Sequence, residues 1–462
     1  MKIALLKCPS IEPSFPDIAL GYFNAVLKNE GHEVFIFDLN IDFFNLIDVE
    51  ERKKWFTSNL DALFKQTKKI IDEIPAAIDS YAKKIADISP RVVGFSVWNS
   101  NVYFSLQLAE KIKDLNKDIM IIFGGPKCFP LRGGEKLARD KNVDIVVYGE
   151  GEHTLKDIVN SIEKSGETKT FPGTITKCPQ GIIDHGFPKQ IEDLDALPFP
   201  DYRDFRLELY PERYGLYIFF NRGCINKCVY CSVSGTYPLF RFRSASSIFE
   251  EMKYQVKQHP QISNFGDASP ALNANIKQLN QLCELIISSD LHVAWGGQAM
   301  IRSDMSEELI KKMKKAGCSN LSFGMESGSQ KVLEKMGKPY KVEDAELLLR
   351  RTYDAGIKNN INFIIGFPEE DPQDFYKTLE FITRNKKYLE KITSSATCWL
   401  EPYSYLYNHP EEFGIDCGEK WDNNFYLSWF KGNKNTLKIR KIRKEIFDTF
   451  TSGIGRKPYG GE

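Results

Sequence analysis

Several features that would mark other classes of protein are missing from this 462-residue chain. No apolar run approaches the roughly 20 residues that a helix needs to cross a bilayer. Lysine plus arginine equals aspartate plus glutamate, 62 each, so the chain has no overall basic surplus for phosphate binding, and no nucleic-acid partner is expected. With only six histidines, a histidine-rich metal site is not expected. The opening residues, MKIALLKCPS, indicate a strand and not a signal peptide.

The cysteines form a compact pattern in one loop. Ten cysteines without an export signal fit a reducing cytoplasm, which is the expected location, and argue against a disulfide framework. Three of them, Cys224, Cys228 and Cys231, fall in the run RGCINKCVYCS. A zinc ribbon would need a second CxxC pair, which the sequence lacks. Since three thiolates leave the fourth iron of a cubane open, the loop predicts a catalytic [4Fe-4S] cluster on these cysteines.

The CxxxCxxC spacing resembles the radical S-adenosylmethionine (SAM) superfamily. Tyr230 stands just before the last cysteine, and the strand-like run LYIFFN at 216–221 precedes the loop, as in that family. There the open iron binds the amino and carboxylate groups of SAM, and the reduced cluster cleaves SAM to a 5′-deoxyadenosyl radical. The resemblance implies SAM as a cofactor, Tyr230 as a cofactor-binding residue and a flavodoxin- or ferredoxin-type electron donor.

Residues 1–165 alternate strand and helix patterns. The strand patterns are continuous apolar runs, which implies burial on both faces of a parallel sheet. With helical crossovers, they predict a doubly wound, Rossmann-like α/β domain whose ligand lies at the carboxyl ends of the strands. The predicted strands are IALL (3–6), VFIFD (34–38), VVGFS (92–96), IMIIFGG (119–125) and DIVVYG (144–149).

Glycines stand at two of these strand ends, where they let a bulky ligand approach the backbone. The runs GGP and GEGE after parallel strands look like the cobalamin-binding domain in front of many radical SAM enzymes. The alternative is that the glycines serve only tight turns and that Trp98 packs in the core. The resemblance implies a cobalamin (methylcobalamin) site formed by Pro9, Ser96, Trp98, Asn99, Gly124, Gly125, Gly149, Glu150 and Gly151.

The first domain contains no DxHxxG segment to supply an axial histidine to cobalt. Its histidines, His32 and His153, are expected to be structural. Cobalt would then have no protein histidine, and Trp98 or Asn99 would face it. This arrangement favours methyl transfer, because reduced cobalt without an axial base is a good nucleophile.

The acidic, proline-containing run DLDALPFPDYRDF interrupts the periodicity, so residues 166–205 are predicted to be a linker. Residues 206–400 match the partial (βα)6 barrel of the radical SAM family. The resemblance implies SAM contacts at Asp267, Arg302, Glu326 and Ser327, and a carboxylate can accept both ribose hydroxyls. The predicted barrel strands are 216–221, 262–267, 291–296, 319–325, 360–366 and 394–400.

Residues 401–462 form an aromatic-rich extension that is expected to be α-rich and to shape the substrate pocket. A stripe of Ile439, Ile442, Ile446 and Phe450 predicts a basic amphipathic helix. We expect this helix to pack on the barrel. The alternative is that it meets a phosphate or an anionic membrane surface.

Together these patterns predict a monomeric, cytoplasmic, cobalamin-dependent radical SAM methyltransferase. It would methylate an unactivated carbon of a small molecule, peptide or lipid, using methylcobalamin and a 5′-deoxyadenosyl radical. Cyclisation, ring rearrangement or oxidation with the same cofactors is the alternative, and the sequence does not separate the two. A radical SAM enzyme whose first domain lacks cobalamin is a further alternative. A non-catalytic sensor is disfavoured because it would need no SAM site.

Overall fold

The computed structural model describes residues 1–53, 55–56, 65, 67–69, 72, 75–166, 169–212, 214–417 and 429–454. The described residues divide into two compact units, Met1–Tyr217 and 218–454. Within the described ranges, no helix is both long enough and apolar enough to span a membrane.

The first unit is built on a seven-stranded sheet with the order β2-β1-β3-β4-β5-β6-β7. Strands β1 to β5 pair in parallel, while β6 and β7 add antiparallel strands at one edge. Five of the six residues of β1 are buried, as expected for an apolar strand covered on both faces. The strands are β1 (Lys2–Lys7), β2 (Glu33–Asp38), β3 (Val92–Ser96), β4 (Met120–Gly124), β5 (Ile145–Val147), β6 (Thr174–Cys178) and β7 (Gly181–Asp184).

Helices connect the parallel strands of the first unit. The first begins where the Asp17 carboxylate accepts hydrogen bonds from the backbone N–H groups of Ala19 and Leu20. The last ends at Gly166, whose left-handed conformation is typical of a helix terminus. The helices are α1 (Ile18–Asn29), α2 (Leu39–Leu46), α3 (Val49–Lys53), α4 (Pro75–Asp87), α5 (Val102–Leu115), α6 (Gly134–Ala138) and α7 (Gly151–Ser165).

The segment 166–205, predicted to be a linker, is a structured part of the first unit. It contains β6 and β7, and the unit continues to Tyr217. The Tyr210 hydroxyl donates to Asp38 Oδ2 at 2.6 Å, and Asn24 Nδ2 donates to the Asp201 carbonyl at 3.0 Å. These are tertiary contacts, so a break in sequence periodicity does not reveal them.

The second unit contains a six-stranded sheet with the order β15-β14-β13-β12-β11-β8. Strands β11 to β15 pair in parallel, and β9 and β10 form a separate antiparallel ribbon. This confirms the prediction of a doubly wound first domain that is followed in sequence by a partial barrel. The strands are β8 (Gly215–Ile218), β9 (Asn221–Arg222), β10 (Arg241–Phe242), β11 (Asn264–Asp267), β12 (Ala294–Ala299), β13 (Cys318–Glu326), β14 (Lys358–Ile365) and β15 (Lys391–Thr397).

Helices alternate with these strands and continue into the carboxyl-terminal extension. One of them begins with a reciprocal capping box between Asp371 and Asp374, with Pro372 at its first position. The helices are α8 (Val233–Thr236), α9 (Ala245–Gln258), α10 (Ile276–Ile287), α11 (Glu307–Lys315), α12 (Gln330–Lys335), α13 (Val342–Asp354), α14 (Pro372–Asn385), α15 (Tyr405–Asn408) and α16 (Leu437–Thr451).

Helix α16 packs with a different face from the one its isoleucine stripe predicted. Ile442, Ile446 and Phe450 are 45%, 47% and 45% exposed. The buried face instead carries Arg440 and Arg443. The Arg440 guanidinium lies 3.6 Å from the Trp429 ring centroid, and Arg443 Nη1 donates to Glu370 Oε1 at 3.0 Å. Burial of these arginines is tolerated because hydrogen bonds and a partner charge satisfy them.

Candidate functional site

The cysteine loop begins directly after the two-residue strand β9. Gly223 adopts a positive φ of 74° there. A Cβ at this position would lie 2.4 Å from the Leu239 carbonyl oxygen, so only glycine fits beside the segment that leads into β10. The loop geometry therefore depends on Gly223, one residue before the first cysteine.

The three cysteines of the loop are free thiols in a largely buried setting. Cys228 is 8% exposed, and Cys224 and Cys231 are partly buried. Asn226 N–H points at Cys224 Sγ, with a nitrogen–sulfur distance of 3.4 Å. Burial raises the pKa of Cys231 to about 11 and raises that of Cys224 as well. The raised pKa values favour the protonated thiols. A bound cation would favour the thiolates instead, because metal ligation requires the deprotonated form.

Three polar side chains converge beside the loop. The Tyr230 hydroxyl donates to Glu326 Oε1 at 2.9 Å. Lys338 Nζ donates to the same oxygen at 3.1 Å and to the Gly324 carbonyl at 3.1 Å. The ammonium also lies 5.6 Å from the Tyr230 ring centroid, within range of a cation–π contact. We name Tyr230, Glu326 and Lys338 the ionic triad.

Glu326 occupies a strained backbone position at the end of β13. Its φ is 65°, in the left-handed region that non-glycine residues rarely adopt. Such strain costs about 1–3 kcal/mol and is concentrated at functional sites. Gly324 leaves room for the carboxylate, since a Cβ there would lie 2.4 Å from Glu326 Oε1. The fold thus directs this carboxylate toward Tyr230 and Lys338.

Lys338 is the charged residue of the site that sequence reasoning missed. Burial alone would lower its pKa, but the neighbouring charge of Glu326, together with Tyr340 and Cys228, raises the pKa above its usual value. Its charge in turn acts to lower the thiol pKa values of Cys224 and Cys231. The residue follows helix α12 in a Met-Gly-Lys-Pro turn. No periodicity marks such a lysine as buried.

Three other predicted SAM contacts are engaged elsewhere in the second unit. Asp267 Oδ1 accepts from Phe220 N at 3.1 Å and from Ser269 Oγ at 2.6 Å. Burial raises the pKa of Asp267 to about 7. The structure therefore does not bring this carboxyl group into the ionic triad.

Arg302 and Ser327 also contact partners outside the ionic triad. Arg302 forms two hydrogen bonds with the Asp304 carboxylate, at 2.8 and 2.6 Å, and donates to the Ala274 carbonyl at 3.0 Å. The Ser327 hydroxyl lies 3.3 Å from that of Thr378. Of the predicted SAM-binding side chains, only Tyr230 and Glu326 meet each other.

The carboxyl-terminal extension packs against the cysteine loop. Leu406 N donates to the Val229 carbonyl at 2.7 Å. Val229 and Tyr230 pack against a buried cluster that we name the brace. Residues 418–428 and 455–462 of the extension lie outside the described residues. The brace consists of Val332, Met336, Phe367, Cys398, Leu400, Leu406, Phe413, Ile415 and Trp429.

In the first unit, Trp98 and Asn99 follow strand β3 and are exposed. Trp98 is 42% exposed, so it does not pack in the core. Asn101 fixes the turn: its Oδ1 accepts from Trp98 N at 2.7 Å, and its Nδ2 donates to the Cys8 and Ser96 carbonyls. Sequence reasoning missed Asn101, although an asparagine at a helix start is a common capping signal.

Most of the predicted glycine positions have packing reasons of their own. A Cβ at Gly125 would lie 2.8 Å from the Val97 carbonyl oxygen, and one at Gly149 would lie 2.6 Å from Pro188 Cγ. A Cβ at Gly151 would meet the Phe23 ring at 3.1 Å. At Gly124 no atom comes closer than 3.8 Å. Gly124 is thus the one glycine of this set with open space beside it.

Two other predicted cobalamin contacts are buried. Pro9 lies in a buried stretch after β1. Glu150 Oε2 accepts a hydrogen bond from Ile191 N at 2.7 Å, which ties the start of α7 to the later part of the unit. These contacts indicate a structural role for Glu150.

The histidines of the first unit take part in local contacts. His32 is buried, with Nε2 at 3.0 Å from Asn160 Oδ1 and Nδ1 at 3.4 Å from the terminal amine. His153 lies exposed on α7, and His185 Nε2 is 2.8 Å from Thr176 Oγ1. His32 is therefore held by local hydrogen bonds.

Comparisons with protein families assign both units. Residues 218–382 match the model of the radical SAM superfamily, and residues 62–159 match that of the B12 binding domain. The chain therefore carries a radical SAM domain preceded by a B12-binding domain. At the level of these domain families, the predicted set of cluster, SAM and cobalamin is confirmed.

Curated relatives include different activities. An uncharacterized methyltransferase of Pyrococcus horikoshii is 27% identical over 325 residues, which cover 68% of this chain and 69% of that protein. An anaerobic magnesium-protoporphyrin IX monomethyl ester cyclase of Rubrivivax gelatinosus is 26% identical over 319 residues, 65% of this chain and 55% of the cyclase. The chain thus spans only about half of that cyclase.

Two solved structures share the fold. The methyltransferase TsrM from Kitasatospora setae, with cobalamin and a [4Fe-4S] cluster bound, has a TM-score of 0.69 and 19% identity over 91% of this chain and 81% of its own. The enzyme OxsB, with aqua-cobalamin and SAM bound, has a TM-score of 0.70 and 16% identity over 97% of this chain and 66% of its own.

Proposed function

We propose that this chain is a cobalamin-dependent radical SAM methyltransferase that methylates an unactivated carbon of a small molecule, peptide or lipid. The observation that carries the proposal is the cysteine loop beside the ionic triad, in a chain that also has a B12-binding domain. This combination supplies a place for a cluster and charged groups suited to SAM.

The cysteine loop fits a [4Fe-4S] cluster by the chemistry of its donors. Cys224, Cys228 and Cys231 are free of disulfides, and a backbone N–H points at the sulfur of the first. These three thiolates would hold the cluster, which when bound supplies the electron that cleaves SAM. The Lys338 charge would help keep the loop thiols ionised.

The ionic triad would bind and orient SAM. The Lys338 ammonium can pair with a carboxylate, and Glu326 can accept from an ammonium or from ribose hydroxyls. Both side chains are about nine-tenths buried, so a SAM group that enters this place meets little competing water. Positioning of this kind is what the protein contributes to cofactor chemistry.

The brace would keep the loop side of the site dry. All of its members are less than 10% exposed, and Val229 and Tyr230 pack against it. A water-free site strengthens each electrostatic contact within it and protects reactive intermediates. The aromatic extension therefore supports the loop in this proposal, in addition to any role in shaping a substrate pocket.

Cobalamin would bind the first unit without a protein histidine on cobalt. Trp98 and Asn99, exposed after β3, are the side chains proposed to face cobalt. Gly124, at the end of β4, has open space beside its backbone. Electron paramagnetic resonance of the cob(II)alamin form should then show no nitrogen splitting from an axial base. A strong splitting that vanishes in His32→Ala or His153→Ala would contradict this.

Cyclisation, ring rearrangement or oxidation with the same cofactors is the second candidate function, supported by the similarity to the cyclase. Turnover of candidate substrates with SAM carrying a trideuterated methyl group separates the two. Methyl transfer requires a product heavier by that group, with one 5′-deoxyadenosine and one S-adenosylhomocysteine for each product. A product formed with 5′-deoxyadenosine and no methyl mass would favour the second candidate.

A further inference from the structure

The sheet of the second unit has one face turned toward its helices. Trp295 Nε1 donates to the Ala316 carbonyl just after α11, at 2.7 Å. Asn359 Nδ2 donates to the Leu349 carbonyl in α13 at 2.7 Å, and Ser395 Oγ donates to Asp448 of α16 at 3.2 Å. Since side chains alternate along a strand, their immediate neighbours lie on the opposite face.

The opposite face carries a continuous set of uncharged polar residues. Strand register places Gln298 beside Ser322 and Ser322 beside Asn360, and it places Gly324 beside Asn362. Asn320 stands beside Gly296, which in turn pairs with Gly266. The amide face is the name we give to Gln298, Asn320, Ser322, Asn360 and Asn362.

The amide face is electrically neutral. Among the described residues of β11 to β15, the charged side chains on this face stand at its ends. Lys358 and Lys391 lie at the amino ends of β14 and β15, and Lys358 is paired with Glu390 at 3.0 Å. At the carboxyl end Glu326 is paired with Lys338 at 3.1 Å. A charged ligand group would find no opposite charge between these ends.

Two carbonyl oxygens of this face lack partners in the structure. Asn360 is 7% exposed, and its Oδ1 has no hydrogen-bond partner; the same is true of Asn362 Oδ1. A buried acceptor without a donor costs about 1–3 kcal/mol. Asn362 Nδ2 lies 3.5 Å from Gln298 Oε1. The side-chain amides are therefore close together, yet the two asparagine oxygens accept no hydrogen bond.

Glycines also stand on this face, and neighbouring polar atoms occupy the space that a side chain would need: a Cβ at Gly296 would lie 2.3 Å from the Asn320 carbonyl oxygen, and one at Gly324 would lie 2.4 Å from Glu326 Oε1. Gly266, Gly296 and Gly324 bring no side chain to it, and they lie next to the amide residues in register. An uncharged surface with unused acceptors is suited to a ligand that donates N–H or O–H bonds and accepts others. A carboxamide does both with adjacent atoms, and it matches the geometry of asparagine and glutamine.

We propose that the amide face binds a neutral carboxamide or lactam group of the substrate. This inference rests on the proposed function, because it assigns the substrate to the same unit as the cysteine loop. It narrows the substrate to an amide-bearing small molecule or peptide and disfavours an acyl lipid. Asn360 and Asn362 accept from the amide N–H, and the amide carbonyl accepts from neighbouring side-chain NH2 groups.

Nicotinamide and nicotinate are matched probes. They share a pyridine ring, which carries a neutral carboxamide in the first and a charged carboxylate in the second. Binding to the full-length, cluster-reconstituted protein is measured by saturation-transfer difference nuclear magnetic resonance. We expect nicotinamide to bind at least tenfold more tightly than nicotinate. Asn360→Leu and the less buried Asn362→Leu should each weaken nicotinamide binding at least fivefold, while the control Asn280→Leu on helix α10 should not.

SAM cleavage without substrate, measured as 5′-deoxyadenosine under dithionite, distinguishes this face from the SAM site. Both leucine variants should retain the wild-type rate within twofold. Equal binding of the two probes, or loss of SAM cleavage together with nicotinamide binding in folded variants, would overturn the proposal. If the wild-type protein binds nicotinamide selectively but cleaves no SAM, the proposed function fails and the amide-binding assignment stands.

Discussion

Replacing Lys338 with methionine tests the ionic triad most sharply. The Lys338 and Glu326 side chains are 9% and 10% exposed and form a 3.1 Å pair. Methionine keeps the length of the side chain but removes the charge, so the Glu326 carboxylate loses its ion-pair partner. Removing one partner of a buried pair costs about 3–5 kcal/mol. For a unit of this size, that loss lowers the melting temperature by roughly 6–20 °C.

The same substitution should weaken SAM binding if Lys338 pairs with the SAM carboxylate. A hydrogen bond to a charged group is worth about 1.5–3 kcal/mol. This corresponds to a rise in the KM for SAM of roughly 10- to 150-fold. Differential scanning calorimetry of the cluster-free protein gives the first quantity, and 5′-deoxyadenosine formation at varied SAM concentration gives the second.

Two further variants serve as controls for this experiment. Lys253→Met removes an exposed lysine that pairs with Glu250 at 3.2 Å, and it should change stability by less than about 1 kcal/mol. Adding Glu326→Gln to Lys338→Met removes the unpaired, buried carboxylate charge and should recover part of the lost stability. An unchanged melting temperature and an unchanged KM for SAM in Lys338→Met would refute the assigned role of the triad.

Three further predictions concern the cysteine loop, Trp98 and Asp267. Replacing Cys224, Cys228 and Cys231 with alanine should abolish 5′-deoxyadenosine formation while cobalamin uptake by the first unit, followed by visible absorption, persists; SAM cleavage in this variant would remove the cluster assignment. Trp98→Ala should slow methyl transfer more than SAM cleavage, and equal slowing of both rates would argue against a position facing cobalt. The pKa of Asp267 is raised to about 7 in the folded state, so the folded form holds its proton more firmly and this group's contribution to stability is lost as pH rises from about 4 to 7. Asp267→Asn should remove that decline, so its melting temperature relative to wild type should increase between pH 5 and 8; a pH-independent difference would contradict the shift.

The strands and the cysteine loop could be predicted because their signals are local. Continuous apolar runs such as VVGFS at 92–96 match β3 residue for residue. The CxxxCxxC spacing needs only eight consecutive positions. Signals of this kind do not depend on what the rest of the chain places nearby.

The remaining features depend on contacts distant in sequence. Lys338 follows a helix, and only the fold brings its ammonium to Glu326. Asp267 and Arg302 stand at strand ends, as expected for ligands, but one oxygen of Asp267 accepts from Ser269 and the Arg302 guanidinium is bound by the Asp304 carboxylate. A pattern of residue types cannot show that a polar group is already satisfied.

Helix α16 illustrates the same limit for packing. Its isoleucine stripe has the right spacing for a buried face, yet Arg440 and Arg443 occupy the interior. Their burial depends on the Trp429 ring and the Glu370 carboxylate. These partners come from other segments, so helical periodicity alone selects the wrong face.

Methyl transfer from SAM to cobalamin tests the central claim most directly, because it needs no knowledge of the substrate. The reconstituted protein is incubated anaerobically with cobalamin, a reductant and SAM carrying a trideuterated methyl group, and the cobalamin and nucleosides are analysed by mass spectrometry. We predict trideuterated methylcobalamin with S-adenosylhomocysteine, alongside 5′-deoxyadenosine. Formation of 5′-deoxyadenosine with unmethylated cobalamin and no S-adenosylhomocysteine would contradict the methyltransferase account.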